Sequence, residues 1–101
     1  MNTPVSVVIV NYNGGPLLAE CVRSVLASTV PVEVWVSDNA STDGSLIDLR
    51  LACGADQRLR IIEHPVNLGF ARANNRALAR TRYAFILFLN PDCLVQTDTL
   101  A

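Results

Sequence analysis

Four short apolar segments alternate with three segments of helical periodicity along this chain, and no other feature restricts its fold as much. The first apolar segment, Val5–Val10, is β-branched or apolar on both faces of a strand, a pattern typical of a strand that helices cover on both sides. The order β-α-β-α-β-α-β, with connections of helix length, requires parallel strands joined by right-handed crossovers. The predicted fold is therefore α/β: an open, mainly parallel, Rossmann-like sheet with helices on both faces.

Turn residues and periodicity set the bounds of the predicted elements. Loop-forming residues at 11–16 end the first strand. His64-Pro65 ends the third strand, because a residue before proline avoids helical dihedrals. The remaining strands are predicted at Val32–Val36, Leu59–Glu63 and Tyr83–Leu89, and the helices at Leu17–Ala27, about Asp43–Cys53 and about Phe70–Arg80.

Size and charge exclude several classes of function. With 101 residues, 50% of them hydrophobic, the chain is predicted to form a single domain over residues 1–101. A net charge of -1 gives no reason to expect a nucleic-acid partner. All eight basic residues are arginines, so the chain lacks the lysine of a Walker-type phosphate loop, a Schiff-base enzyme or a phospho-acceptor receiver domain.

The cysteines and the apolar segments indicate the cellular compartment of the protein. Cys21, Cys53 and Cys93 are odd in number and lack the spacing of a zinc site or a redox pair, which favours reduced thiols in the cytoplasm. No secretory signal is evident, and the longest apolar run, Ala84–Leu89, is too short for a membrane segment. We expect a cytoplasmic protein, with the surface of the cytoplasmic membrane as an alternative for a longer protein.

Polar residues gather where the predicted strands end. In an open parallel sheet, ligands bind at the carboxyl ends of the strands, so a site is predicted along that edge. The polar clusters there are Asn11-Tyr12-Asn13, Ser37-Asp38-Asn39 and Asn90-Pro91-Asp92, and the loop after the third strand adds Asn67–Phe70, followed by Asn74 and Asn75.

The residues alone leave alternatives open at these positions. Asp38 either accepts hydrogen bonds from a ligand or caps the following segment. Asp92 either holds Mg²⁺ beside a diphosphate or forms an Asx turn. Tyr12 either stacks on a flat base or packs on the first helix, and Gly69 either admits a ligand to the backbone or only makes a turn.

Two further features have simpler interpretations. Arg72, Arg76 and Arg80 recur at intervals of four on one helix, which is typical of a solvated face, although docking of phosphate or of another part of the protein is the alternative. His64 is interpreted as a strand-end residue rather than as a base or a metal ligand.

Four motifs occur in order along the chain: Val5-Ser-Val-Val-Ile-Val-Asn-Tyr-Asn13, Val36-Ser-Asp-Asn-Ala-Ser-Thr-Asp-Gly44, Asn67-Leu-Gly-Phe-Ala71 with Asn74-Asn75, and Phe88-Leu-Asn-Pro-Asp92. Together they resemble family 2 glycosyltransferases, inverting enzymes of the GT-A fold, and match the amino-terminal part of that fold. The Asn90-Pro91-Asp92 version, where many members carry two or three acids, is similar to the rhamnosyltransferase-like branch.

The resemblance implies roles for particular residues. Val10, Asn11 and Tyr12 would line the nucleotide pocket, and Asp38 would bond a pyrimidine base. Asp92 would hold Mg²⁺ or Mn²⁺ on the donor diphosphate. The residues implied to flank the nucleotide sugar are Asn67, Gly69, Phe70, Asn74 and Asn75.

The resemblance also implies a function. The chain would be the donor- and metal-binding portion of an enzyme of cell-wall or polysaccharide biosynthesis. Its donor would be a deoxythymidine- or uridine-diphosphate sugar and its acceptor a hydroxyl. Because the family's catalytic base would lie beyond residue 101, this chain is expected to bind donor without transferring sugar.

Two other functional classes stay open as alternatives. One is a non-catalytic α/β nucleotide-binding or interaction module. The other is a nucleotidyltransferase, although 11–16 does not supply the Gly-rich, basic phosphate loop that usually begins such an enzyme. The unpaired edge of the predicted sheet further predicts self-association.

Overall fold

The computed structural model of the protein describes residues 3–97. A four-stranded sheet has the order β3-β2-β1-β4, with every pair of neighbouring strands parallel. This architecture confirms the predicted open α/β sheet. The elements in chain order are β1 Val5–Asn11, α1 Pro16–Leu26, β2 Val32–Asp38, α2 Ser45–Cys53, β3 Leu59–Glu63, α3 Phe70–Leu78 and β4 Phe85–Leu89.

Several bounds differ from the sequence-based prediction. Strand β2 continues two residues beyond Val36, because Ser37 and Asp38 pair with Ile62 and Glu63 of β3, so ladder pairing outweighs the turn propensity of these polar residues. Helix α2 begins at Ser45, since Gly44 before it has a φ of 83°. The other changes are small: β1 ends at Asn11, β4 begins at Phe85, α1 is shifted by one residue and α3 ends at Leu78.

Helices α1 and α2 cover one face of the sheet. The α1 side chains that recur at three and four residues are fully buried, and they pack on valines and an isoleucine of β1 and β2. Full burial of each such aliphatic side chain stabilises the fold by about 1.5–3 kcal/mol. The main members of this core are Val7, Ile9, Leu18, Val22, Val25, Val34, Val36 and Leu49.

Helix α3 covers part of the opposite face. Its fully buried residues are Ala73 and Ala77, whose small side chains let the helix lie close to β1 and β2. The edge strand β4 is less covered, and Phe85 and Phe88 are 61% and 48% exposed. Within residues 3–97, no helix is long and apolar enough to cross a membrane.

A buried carboxylate ties β2 to the loop between α3 and β4. Glu33 is 3% exposed and accepts hydrogen bonds from Ser6 Oγ and from the Arg82 N–H, both at 2.6 Å. Burial raises the pKa of Glu33, but the bonds from the Arg82 backbone, Ser6 and other neighbours outweigh it, so the pKa lies below its ordinary value. Glu33 therefore remains ionised and holds the end of the sheet opposite the predicted site.

Candidate functional site

The loops that follow β1, β2 and β4 meet at the carboxyl-terminal edge of the sheet. Asn11 pairs with Asp38 in the β1–β2 ladder, and the Asn39 N–H donates to the Asn11 carbonyl at 2.9 Å. A Cβ built on Gly14 would lie 3.4 Å from Pro91 Cβ, so the loop after β1 also approaches the turn after β4. The polar clusters predicted from the sequence are thus neighbours.

Asn11 and Asp38 form the buried centre of this edge. Asn11 is fully buried, and its Nδ2 shares its two hydrogens among three acceptors: Asp38 Oδ1 at 2.9 Å, Ser45 Oγ at 2.9 Å and Ser41 Oγ at 3.2 Å. Ser41 in turn donates its Oγ hydrogen to Asp38 Oδ1 at 2.7 Å and its N–H to Asp38 Oδ2 at 2.9 Å. Because these bonds come from two chain segments, the carboxylate has a fixed orientation.

These bonds limit what Asp38 can offer a ligand. A carboxylate has about four acceptor positions, and the three bonds from Asn11 and Ser41 use three of them. The remaining position is on Oδ2, and the residue is only 2% exposed. Asp38 can therefore accept one further hydrogen bond from a donor that reaches the floor of the site.

Tyr12 projects from this edge into solvent, because its neighbour Asn13 is hydrogen-bonded to the loop after β2. The Asn13 N–H donates to Ser41 Oγ at 2.9 Å, and Asn13 Oδ1 accepts from the Thr42 N–H at 2.8 Å. Asn13 itself has a φ of 51°, a left-handed conformation that asparagine tolerates. Tyr12 is 56% exposed between the two fixed asparagines, so its ring is available to a ligand.

Asp43 adds a further bond between the same two loops. Its Oδ2 accepts the Gly15 N–H at 2.9 Å, and its Oδ1 accepts the Ser45 N–H at 3.0 Å at the start of α2. Bonds from Ser45, and then from Gly15, lower the pKa of the Asp43 carboxyl. Asp43 therefore binds the first N–H of α2 with its side chain, while Gly44 occupies the N-cap position.

The turn before α3 is attached to the end of β2 through Asn39. Asn39 Oδ1 accepts the Leu68 N–H at 3.1 Å, and Asn39 Nδ2 donates to the Gly69 carbonyl at 3.2 Å. Asn67 Oδ1 accepts the Gly69 N–H at 2.8 Å. Gly69 has a φ of 82° and a ψ of 167°, a conformation that is essentially restricted to glycine.

An open groove lies between α3 and β4 on the face that α3 covers only in part. Its volume is about 410 Å³, and its lining residues are Phe70, Ala71, Asn74, Asn75 and Phe88. Three predicted site residues therefore share one surface. A larger concavity of about 520 Å³ lies between the ends of α1 and α2, and none of the predicted site residues lines it.

Asp92 lies in the turn after β4 and is exposed. Strand β1 separates β4 from β2, so these two strands lie roughly 10 Å apart at the usual strand spacing. Asp38 ends β2 and Asp92 follows β4, so both residues lie at the carboxyl-terminal edge. Within residues 3–97, no group of three or more His, Cys, Asp or Glu side chains could hold a metal ion. A lone exposed carboxylate fits Mg²⁺ or Mn²⁺ only where a ligand phosphate and waters complete the coordination.

Cys21 supports the turn that carries Asp92. Its Sγ donates to the Asn90 carbonyl at 3.6 Å, and the same carbonyl accepts the Cys93 N–H at 3.1 Å. Burial, followed by the nearby Cys93 and Asp92, raises the pKa of Cys21 to about 11. Cys21 is therefore a protonated packing residue, and all three cysteines are free thiols.

The predicted site residues divide into buried and surface groups. Val10 and Asn11 are buried beneath the edge, as is Asp38. Asn74 is half-buried. The exposed members are Tyr12, Asn67, Gly69, Phe70, Asn75 and Asp92.

The sequence did not reveal the roles of Asn39 and Ser41, which lie inside the second motif, or of Ser45, which follows it. None of the three carries a signal that its side chain turns inward. Nor did it reveal that His64 Nε2 lies 2.7 Å from Ser37 Oγ in a buried contact. The backbone N–H of His64 donates to the Asp38 carbonyl at 2.9 Å, in agreement with the interpretation of His64 as a strand-end residue.

Comparisons with known proteins show what the chain is similar to. The chain is 32% identical over 100 residues to a poly(ribitol-phosphate) β-glucosyltransferase of Bacillus spizizenii, a match that covers 95% of the chain and 16% of the relative. Among solved structures, the mannosyltransferase PcManGT of Pyrobaculum calidifontis, in complex with GDP-Man and Mn²⁺, matches with a TM-score of 0.84 and 28% identity, covering 93% of the chain and 29% of that protein.

Residues 1–349 of TarS from S. aureus, in complex with UDP-GlcNAc, match with a TM-score of 0.86 and 27% identity, covering 99% of the chain and 29% of that protein. The chain spans less than half the length of the curated relatives compared, from 10% to 41%. The family model described as glycosyl transferase family 2 matches residues 6–101. Since this match includes nearly the whole chain, the chain belongs to glycosyl transferase family 2.

Proposed function

We propose that this chain is the donor-binding portion of an inverting glycosyltransferase. It would bind a nucleoside-diphosphate sugar and a divalent metal at the carboxyl-terminal edge of the sheet, for transfer of the sugar to a hydroxyl acceptor. The observation that carries this proposal is the position of Asp38 and Asp92 on one edge, on either side of β1, with the exposed Tyr12 at the end of β1 between them.

The base of the donor is proposed to be uracil or thymine. Asp38 has one acceptor position left, and the N3–H of a pyrimidine-dione supplies one donor, whereas the Watson–Crick edge of guanine presents two adjacent donors. Tyr12 would stack on the base, a contact that an exposed aromatic ring favours. TarS has been solved with UDP and with UDP-GlcNAc, although PcManGT has been solved with GDP-Man.

Asp92 and the start of α3 are proposed to contact the diphosphate. A bound Mg²⁺ or Mn²⁺ would supply positive charge where negative charge develops on the leaving diphosphate. Asp92 would hold that ion, and the first N–H groups of α3 would point at the phosphates, as helix N-termini do. Within this proposal, Val10 and Asn11 lie below the nucleotide, and Asn11 acts by orienting Asp38.

The sugar of the donor is proposed to lie in the groove between α3 and β4. Asn74 and Asn75 would offer amide groups to its hydroxyls, and Phe70 and Phe88 an apolar wall. The sequence Asn90-Pro91-Asp92 supports the finer proposal of a rhamnosyltransferase-like enzyme that uses a deoxythymidine-diphosphate sugar. We propose that the enzyme acts in the cytoplasm, with the surface of the cytoplasmic membrane as the alternative for a longer protein.

Base selectivity tests the proposal directly. UDP, dTDP and GDP are titrated into the protein with Mn²⁺, and binding is followed by NMR chemical shifts. We expect UDP and dTDP to bind more tightly than GDP, and Asp38→Asn to remove that preference, because its amide changes the acceptor pattern. Asp48→Asn, the same change on the exposed side of α2, is the matched control and should bind like the unmodified chain.

Two results would contradict the proposal. Equal binding of all three nucleotides would refute the assignment of the base to Asp38. No binding of any nucleotide at millimolar concentration would refute the donor site as a whole and favour a non-catalytic interaction module.

A further inference from the structure

Asn39 is a buried residue whose three hydrogen bonds join three chain segments. Its N–H donates to the Asn11 carbonyl of β1, its Oδ1 accepts the Leu68 N–H, and its Nδ2 donates to the Gly69 carbonyl. Among residues 3–97, both side-chain hydrogen bonds that join the turn before α3 to the end of β2 come from Asn39. The side chain is therefore the link between the two segments.

The Gly69 carbonyl is also where α3 begins. It accepts the Ala73 N–H at 3.2 Å, so the amide of Asn39 is bonded to the same oxygen as the first turn of the helix. Asn67 closes the turn locally through the Gly69 N–H, but that bond does not attach the turn to the sheet. The position of the helix start relative to Asp38, the residue next to Asn39, thus depends on the Asn39 side chain.

We propose that Asn39 is a positioning residue that sets the distance between the base-binding Asp38 and the phosphate-facing start of α3. The inference rests on the proposed donor site. In that site, the nucleoside would contact Asp38 and Tyr12, whereas the diphosphate would contact the start of α3. Asn39 touches neither part of the donor, so its loss would weaken the phosphate contacts and leave the nucleoside contacts unchanged.

The test compares UDP with uridine, because uridine lacks the phosphates. Asn39→Asp keeps the shape and the acceptor for Leu68 but loses the donor to the Gly69 carbonyl. We expect its affinity for UDP to fall about tenfold, as when one hydrogen bond of ordinary strength is lost, while its affinity for uridine changes less than about twofold. Asn39→Ala loses both bonds and adds no charge, so it should also weaken UDP binding more than uridine binding; this neutral variant separates positioning from repulsion between a new carboxylate and the diphosphate.

Gln57→Glu is the matched control, because it makes the same change in charge at an exposed loop residue and should leave both affinities unaltered. Amide hydrogen exchange gives a second readout that needs no ligand: the Leu68 N–H should exchange faster in Asn39→Ala than in Asn39→Asp. A purely structural role would change the UDP and uridine affinities together or leave both unaltered.

The outcomes separate this inference from the proposed function. If the unmodified chain binds UDP and Asn39→Asp keeps the same ratio of UDP to uridine affinity, the positioning role is wrong and the donor site stands. If the unmodified chain binds neither ligand, the donor site itself is wrong, and the inference fails with it.

Discussion

The hydrogen bond between Asn11 Nδ2 and Asp38 Oδ1 should be a major determinant of the site's rigidity. The bond is 2.9 Å long, and both residues are almost fully buried. A hydrogen bond to a charged group contributes about 1.5–3 kcal/mol, and this one forms where little water can replace it. Asn11→Ala would also lose the bonds to Ser41 and Ser45, which contribute about 0.5–1.5 kcal/mol each.

A double-mutant cycle isolates the bond between the two residues. Asn11 Oδ1 is buried and accepts no hydrogen bond within residues 3–97, which costs free energy in the folded state. Asn11→Ala removes this cost together with the bonds of Nδ2, so the change in unfolding free energy of this variant alone does not give the strength of the bond to Asp38. Asn11→Ala, Asp38→Ala and the double variant together should give a coupling free energy of about 2 kcal/mol. The total free energy of unfolding for a chain of this size is about 5–15 kcal/mol, so the cycle requires that each variant still shows a cooperative unfolding transition.

Urea unfolding, followed by the fluorescence of Trp35, measures these free energies. Trp35 is the only tryptophan and lies in β2, close enough in sequence to report on the strand that carries Asp38. A coupling free energy below about 0.5 kcal/mol, within the ordinary error of additivity, would refute the account of Asp38 as a residue that Asn11 orients.

Three further predictions concern packing, acid stability and association. Gly14→Ala would place a Cβ in overlap with Asn11 Oδ1, so thermal melts should show a loss of about 1–3 kcal/mol; an unchanged melting temperature would contradict the close approach. Since the pKa of Glu33 is lower in the folded state, its contribution to stability is present above the unfolded value of about 4.3 and is lost as the pH falls through the folded value. As the pH falls, urea titrations should therefore show a smaller loss of unfolding free energy for Glu33→Gln than for the unmodified chain, and an identical loss would refute this. The exposed edge strand with Phe85 and Phe88 predicts concentration-dependent association in sedimentation, reduced by Phe85→Lys; a monomer at all concentrations would exclude edge pairing.

The architecture could be predicted from the sequence because each element carried its own signal. The apolar runs with β-branched residues defined four strands, and the helical segments between them required parallel pairing. Since the carboxyl ends of parallel strands share one edge, the placement of Asp38 and Asp92 on that edge followed from the sequence. These arguments depend only on local periodicity and on the handedness of the connections.

The different roles of the polar residues could not be predicted from the sequence, because these roles depend on strand register and loop geometry. Asn11 and Asp38 point to the same side only because they are paired in the ladder. Asn13 differs from Asn11 by two positions, yet it leaves the strand in a left-handed conformation and bonds the neighbouring loop instead. In a single sequence, Asn11, Asn13 and Asn39 are equivalent amides. Only their hydrogen-bond partners in the structure show which of them orient other residues of the site and which lie at its surface.

Paramagnetic broadening by Mn²⁺ in the presence of UDP tests the central claim most directly. With backbone amides assigned, the account predicts UDP-dependent broadening centred on Asp92 and extending to Tyr12 and the start of α3, and its loss in Asp92→Asn. Broadening that instead centres on the concavity between α1 and α2, where Asp56 lies, or that is unchanged in Asp92→Asn, would contradict a metal-assisted donor site at the carboxyl-terminal edge.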